Sequence, residues 1–406
     1  MTACLVCMGG AVECVLDLGS TTLANKFLTG AELGQPEPSF PLRAGFCPDC
    51  SHVQLIDRVP PAAMFEDYLY VSSASETLRG HFDDLAAELV ARHRLGAGDL
   101  VIDIGSNDAS LLASFARLGP RTLGVDPARN LAGFAAERGI ERYTGFFDAA
   151  TALELRETWG PAALITATNT LPHIPELGGF VQGLGTCLAP GGAFVAEAHY
   201  LADLVAQRAF DTVYHEHVSY WALGPARRLF ADHGFEVVRA ERLALHHGQL
   251  RLTAMRAGEG TIDASVEALA AYEADEGLGS IATYKALATD VAAMKVGLRR
   301  LLGELAADGA RVAAYGAPAK GNTLLSYLGL GPTDIRWIAD RSPLKQGRYT
   351  PGTHIPVVGP ERLLEEMPDY VLLLAWNFAD EILAQQKPYR DAGGRFIVPV
   401  PEPIIV

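Results

Sequence analysis

Residues 99–115 read DLVIDIGSNDASLLASF. The apolar run 101–104 predicts a short buried strand, 105–108 a turn, and Ala109 onward a helix. A strand running into a glycine turn and a helix start is the cofactor entry of a doubly wound α/β sheet. Gly105 lets the backbone approach a ligand, Asp103 closes the strand, and Asn107 sits in the turn. The stretch is not GxGxxG, since only Gly105 is present. A dinucleotide pyrophosphate wants more glycines for its close approach. The next strand, RTLGVDP (121–127), ends in Asp126. That acid lies roughly twenty residues after the turn, where it can accept ribose hydroxyls. Strand, turn, helix, strand and acid suit S-adenosylmethionine as well as NAD, and the missing glycines favour S-adenosylmethionine.

Downstream, TGFFD (144–148) offers Phe146 and Phe147 as candidates for an adenine wall, with Phe147 placed in the cofactor set. In ALITATNTLPHIPEL (163–177), a strand ends near Thr168. Asn169 and His173 follow in the loop, on the side where such sheets hold ligands. AFVAEAHYL (193–201) is a further strand. Then comes FDTVYHEHVSYW (210–221), with Tyr214, His215, Glu216 and His217 in succession. This knot fits neither helical periodicity nor strict alternation. Tyr, Glu and His together supply bases, acids and donors near neutral pH. It is the candidate site of proton removal.

A second strand, glycine turn and helix start appears in RVAAYGAPAKGNTLL (311–325). It is not a P-loop, because Lys320 precedes Gly321 and Asn322 rather than Ser or Thr. Beyond the next strand, IRWIADRSPLKQGRYTPG (335–352) carries Arg341, Lys345 and Arg348. Cations beside a helix start suit an anion such as a diphosphate. Between the two βα regions, residues 261–305 read as long helices.

At the other end of the chain, CLVC and CPDC place Cys4, Cys7, Cys47 and Cys50 in two Cys-x-x-Cys turns. Two such turns form a closed tetrahedral sulfur cage for structural zinc. Cys14 and Cys187 read as buried small hydrophobes. MFEDYLYVSSASE (64–76) links this module to the next, and its Tyr68 and Tyr70 suit a wet pocket wall. The 406 residues allow two or three domains, and 49% hydrophobic content allows large cores. A net charge of −15 disfavours nucleic acid as a partner. No signal-like opening or spanning apolar run is visible, so a soluble cytoplasmic protein without a membrane partner is expected.

Taken in order, LANKFL, DYLYVSSASE, DIGSNDASLL, TNTLPHIPEL, FDTVYHEHVSYW, YGAPAKGNTLL and KQGRYTPGTHIP, with the cysteine pairs, span the chain. They resemble the three-domain S-adenosylmethionine-dependent C-methyltransferases of deoxysugar biosynthesis, which act on nucleotide-linked ketosugars. The resemblance implies a zinc module (1–66), a Rossmann-like methyltransferase domain (67–250) and a second Rossmann-like domain (251–406) helping to hold a nucleotide sugar. It implies His217 as the base, with Tyr214 and Glu216 beside it. Asn169 and His173 carry over as pocket residues, and Tyr68 as a substrate-side residue. The implied substrate is a dTDP-4-keto-deoxysugar, methylated at C-3 in preference to C-5. Tyr214 and His173 are candidates to donate to the enolate oxygen, and Glu216 to support the imidazole. Lys320, Asn322, Arg341, Lys345 and Tyr70 complete the candidate substrate set. Three departures stand out: Asp103 replaces the usual Glu, Ala109 the usual Gly, and HHGQLR places Gln249 where the family has a small residue. The rival readings are an NAD-dependent sugar oxidoreductase, a sugar O-methyltransferase and a non-catalytic zinc-bearing scaffold.

Overall fold

The computed structural model describes residues 2–66, 68–69, 71–74, 76–245 and 248–406. Tyr70 and the two histidines of HHGQLR, His246 and His247, lie outside the described residues. Three sheets organise the chain.

The first sheet joins β1 (Glu13–Thr21), β2 (Phe40–Phe46) and β3 (Val53–Leu55) in antiparallel order. The register slips between Cys14 and Leu16. An irregularity of this kind re-aims a side chain. Cys14 is exposed there, contrary to the expected burial, while Cys187 is buried.

The central sheet contains β4 (Leu100–Ile104), β5 (Arg121–Asp126), β6 (Glu141–Thr144), β7 (Ala162–Thr168) and β8 (Leu188–His199). The chain then returns to the first sheet for the two-residue β9 (Ser219–Tyr220), which pairs with β3. The central sheet ends with β10 (Phe235–Leu243) and β11 (Gln249–Arg256). Its order is β10-β11-β8-β7-β4-β5-β6. The strands from β4 to β8 run parallel, and β11 is antiparallel to both of its neighbours. β11 is thus a reversed strand inserted between β8 and β10 at an otherwise parallel edge. β11 runs past residue 250, so the chain leaves this sheet later than the expected division.

Helices Ala264–Asp275 and Ile281–Ala307 lead to the third sheet. It holds β12 (Val312–Tyr315), β13 (Ile338–Ala339), β14 (Val357–Val358), β15 (Tyr370–Leu373), β16 (Arg395–Val398) and β17 (Ile404–Ile405). The order is β14-β13-β12-β15-β16-β17, with only β17 antiparallel. No helix among the described residues is long and apolar enough to cross a membrane.

Candidate active site and zinc centre

A cavity of about 860 Å³ opens where the three sheets meet. Three groups of residues build it.

The turn after β4 forms one end. Gly105 has φ +74°, and its N–H donates to the Val125 carbonyl at 2.8 Å. A Cβ there would sit 2.0 Å from Thr170 Oγ1, so only glycine fits. Asn107 (φ +50°) and Ala109 (φ +61°) also adopt left-handed backbone before the helix Ser110–Leu118. The Asp126 carboxylate accepts from the Asn107 N–H and the Ala128 N–H, both at 2.8 Å, and from Arg142 at 2.9 Å. Three of its four lone-pair positions are therefore in use, which leaves less room for ribose hydroxyls than the sequence suggests. Asp103 is buried beside the Thr166 hydroxyl, and burial pushes its carboxyl up to about 7. Phe147 packs edge-on against Phe180 at 5.6 Å and also lines the cavity, as does the exposed Phe146. Asn169 (φ +55°) receives Gln249 Nε2 on its Oδ1 at 2.9 Å. The Gln249 departure thus acts on a residue of the cavity wall.

Among the described lining residues, this end presents Asp103, Asp126 and Asp148 and no lysine or arginine. Such a set of acceptors fits a ligand with hydroxyls and positive charge, as S-adenosylmethionine has. It does not fit a pyrophosphate.

The 210–221 stretch forms the middle. Residues Phe210–Thr212 make one 3₁₀ turn, and the chain folds tightly before β9. His217 Nδ1 lies 2.8 Å from the Thr212 carbonyl oxygen. A carbonyl only accepts, so the ring proton sits on Nδ1 and Nε2 carries the lone pair. The Tyr214 hydroxyl donates to that Nε2 at 2.8 Å. Burial, with the neighbouring His199 and His173 rings, holds His217 well below its ordinary pKa. Both neighbouring rings have centroids 5.1 Å from that of His217.

The other residues of the knot diverge. Glu216 does not reach the imidazole, contrary to expectation. Its carboxylate accepts from Asn25 Nδ2 at 2.8 and 2.9 Å and from the Tyr68 hydroxyl at 3.0 Å. Burial pushes its carboxyl up to about 7, against those donors. His173 donates from Nδ1 to the Glu216 carbonyl at 2.7 Å. Its neutral ring therefore offers an acceptor at Nε2, not the expected donor, and burial pushes the imidazolium down to about 4. His215 turns away and donates to the Pro41 carbonyl at 3.2 Å.

The third sheet supplies the far end. Lys320 stands 4.1 Å over the Trp376 ring, and burial lowers its pKa to about 8 although Asp211 opposes this. Lys345 donates to the Ala317 carbonyl at 2.7 Å. Both lysines line the cavity, together with Asp340. Asn322 lies behind the wall and donates to the Ala24 carbonyl at 2.6 Å. Arg341 is exposed, reaches Gln385 at 3.4 Å and lies off the cavity. These last two are not brought to the site. His199, Asn25 and Trp376, which line it, were missed as site residues from sequence.

The zinc centre stands apart. The sulfurs of Cys4, Cys7, Cys47 and Cys50 all lie within 4.8 Å of one another. Cys4 to Cys50 is 3.5 Å and Cys7 to Cys47 is 3.7 Å. Four thiolates at about 2.3 Å from zinc in a tetrahedron stand about 3.8 Å apart, so the cage fits. The cage is closed, as a structural ion requires, and none of its four cysteines lines the cavity.

The strand order, the acid-lined turn and the sulfur cage define an S-adenosylmethionine-dependent methyltransferase with structural zinc. Family models match along the chain: a zinc binding domain over residues 4–65, a methyltransferase domain over 76–240, and a C-methyltransferase C-terminal domain over 244–401. The chain is 38% identical to the C-methyltransferase NovU of Streptomyces niveus over 404 residues, covering 99% of this chain and 96% of the relative. The chain belongs to this C-methyltransferase family. Magnesium protoporphyrin IX methyltransferase of Synechocystis PCC 6803 with bound S-adenosylmethionine matches 44% of this chain and 79% of its own, at 19% identity and TM-score 0.34. The glycopeptide N-methyltransferase MtfA complexed with S-adenosylmethionine matches 47% and 96%, at 13% identity and TM-score 0.35. These scores are too low for shape to be transferred.

Proposed function

We propose that the chain methylates the carbon alpha to the ketone of a nucleotide-linked 4-keto-deoxysugar, with dTDP as carrier and C-3 as the favoured position. The observation that carries this reading is the placement of the Tyr214–His217 pair between an acid-lined end and a lysine-lined end of one cavity. The lysine end suits a diphosphate. The wall formed by Pro60, Pro61, Phe65, Ile174 and Pro175 suits carbons lacking hydroxyls. C-3 and the dTDP carrier rest on the family resemblance.

His217 is the proposed base. Its site keeps it neutral, with Nε2 as the only basic lone pair of the ring. The 2.8 Å bond from Tyr214, which occupies the Nε2 lone pair, favours a relay. The substrate's C–H proton passes to the Tyr214 oxygen as the Tyr214 proton passes to His217 Nε2. The C–H electron pair becomes the enolate, and the Thr212 carbonyl holds the imidazolium formed. Asn169, with Oδ1 engaged by Gln249, keeps amide donors for ligands in the cavity. S-adenosylmethionine supplies the electrophilic methyl: a C–C bond forms, a C–S bond breaks, and neutral S-adenosylhomocysteine leaves. The three walls exclude water that would reprotonate the enolate.

The test is incubation with S-adenosylmethionine and a panel of dTDP-4-keto-deoxysugars, with the methyl position read by NMR. A methyl on oxygen or no transfer defeats the reading. His217→Asn should lower both transfer and alpha-proton exchange with deuterated solvent by on the order of 10²–10⁴. Full exchange by the folded variant removes His217 as base. A comparable loss in Tyr214→Phe supports the relay, and near-normal exchange there argues for direct removal by His217.

A further inference from the structure

Residues 23–28, LANKFL, belong to the amino-terminal part of the chain yet touch the other two parts. The Ala24 carbonyl accepts from Asn322 Nδ2 at 2.6 Å. Leu28 and Tyr349 exchange two backbone hydrogen bonds, each 2.9 Å, an isolated bridge onto the third sheet's loops. Lys345 Nζ stands 5.2 Å from the centroid of the Phe27 ring. Between these contacts, Asn25 projects the other way and donates to both oxygens of Glu216. Asn25 itself lines the cavity. One short segment therefore contacts Lys345 at the anion end and Glu216 at the reacting end.

Glu216 is well placed to transmit a shift. Its side chain is held by Asn25 and Tyr68, its carbonyl holds His173, and its peptide continues into His217. The His217 N–H closes the turn onto the Tyr214 carbonyl at 2.9 Å. A buried carboxylate needs its donors, and losing one favours protonation or movement. Either change acts on the turn that sets the Tyr214–His217 geometry.

We infer that Asn25 is a positioning residue for methyl transfer, clamping Glu216 so that binding at the Lys345 end and the geometry at His217 are set by one segment. The inference rests on the methyl-transfer reading above. Asn25 touches no reacting atom in this role. Ordinary interdomain packing would use the same contacts without tying them to turnover.

The decisive variant is Asn25→Asp, nearly isosteric, which sets one carboxylate against another. Zinc content and the thermal transition verify its fold. Misplacement of the pair should lower kcat roughly 10–100-fold, with S-adenosylmethionine affinity unchanged. Activity should recover as pH falls, because one of the two facing carboxyl groups then takes a proton. The exchanged pair, Asn25→Asp with Glu216→Gln, restores an amide-to-carboxylate bond and should regain most of the kcat. Independently of any substrate, Asn25→Ala should speed amide hydrogen exchange across residues 212–217. Wild-type kcat and pH profile in Asn25→Asp, or unchanged exchange in Asn25→Ala, overturns the inference. If the wild-type enzyme itself transfers no methyl to the ketosugars, the substrate reading fails and the exchange measurement alone decides Asn25.

Discussion

The turns after β4 and after β12 are built alike. Gly105 donates to Val125, the residue before Asp126, at 2.8 Å; Gly316 donates to Ala339, the residue before Asp340, also at 2.8 Å. Asp126 accepts the N–H groups of Asn107 and Ala128, and Asp340 accepts those of Ala317 and Ser342 at 2.6 and 2.7 Å. Neither glycine tolerates a Cβ, which would lie 2.0 Å from Thr170 in one case and 2.6 Å from Ala375 in the other. The strand orders agree as well: β6-β5-β4-β7-β8 against β14-β13-β12-β15-β16. The difference is electrical. The first turn is ringed by carboxylates, and the second carries Lys320 and Lys345. One backbone device can thus face ligands of opposite charge, and the side chains around it select which.

Between the two turns, the largest effect should come from removing either acid. Asp126→Asn should weaken S-adenosylmethionine binding roughly 10–100-fold, the range of a charge-assisted hydrogen bond, and leave KM for the sugar nucleotide nearly unchanged. Asp340→Asn should do the reverse. Calorimetry for one ligand and steady-state kinetics for the other check both; variants that perturb the two ligands equally would end the separation of sites.

A medium effect is expected at Glu216, between the two ends. Its folded pKa is about 7 against an ordinary 4.5. A group raised on folding contributes stability that is fully present below the ordinary value and is lost as pH rises through the folded one. Between pH 4.5 and 7, the melting temperature should therefore fall more steeply in the wild type than in Glu216→Gln. Parallel curves would show that the carboxyl is not strained by its burial.

The smallest effect concerns how each helix begins. Ala109 enters the first helix at φ +61°, while Pro318 enters the second at φ −73°. Ala109→Gly should stabilise the protein by at most about 1 kcal/mol by relieving the left-handed strain. Pro318→Gly should destabilise it, since no such strain exists there. Urea melts of the two variants distinguish the turns.

Both turns were legible in the sequence because an apolar run, a glycine and a helix start are dictated by backbone geometry. The following acid was legible at Asp126 but not at Asp340, whose role shows only in the hydrogen bonds it accepts from Ala317 and Ser342. The sulfur cage was legible because Cys-x-x-Cys spacing sets where the thiols point. The interior of YHEH was not. His215, Glu216 and His217 are adjacent in sequence, but a tight turn sends them to Pro41, to Asn25 with Tyr68, and to Tyr214. Periodicity is silent inside a turn. Asn25 carries no signal of its own within LANKFL, because its partner lies 191 residues away. Lys345 and Arg341 looked equivalent on one loop, yet only Lys345 lines the cavity.

The pairing of β9 with β3 bears on how the protein is made. Val53–Leu55 can complete its ladder only after Ser219 and Tyr220 have left the ribosome. Until then β3 is an open edge, able to template pairing with other chains. A fragment cut after the cysteine-bearing segment would keep its metal ligands but lack the strand that covers that edge. The metal-binding part and the methyltransferase part are therefore consecutive along the gene but interlocked in assembly.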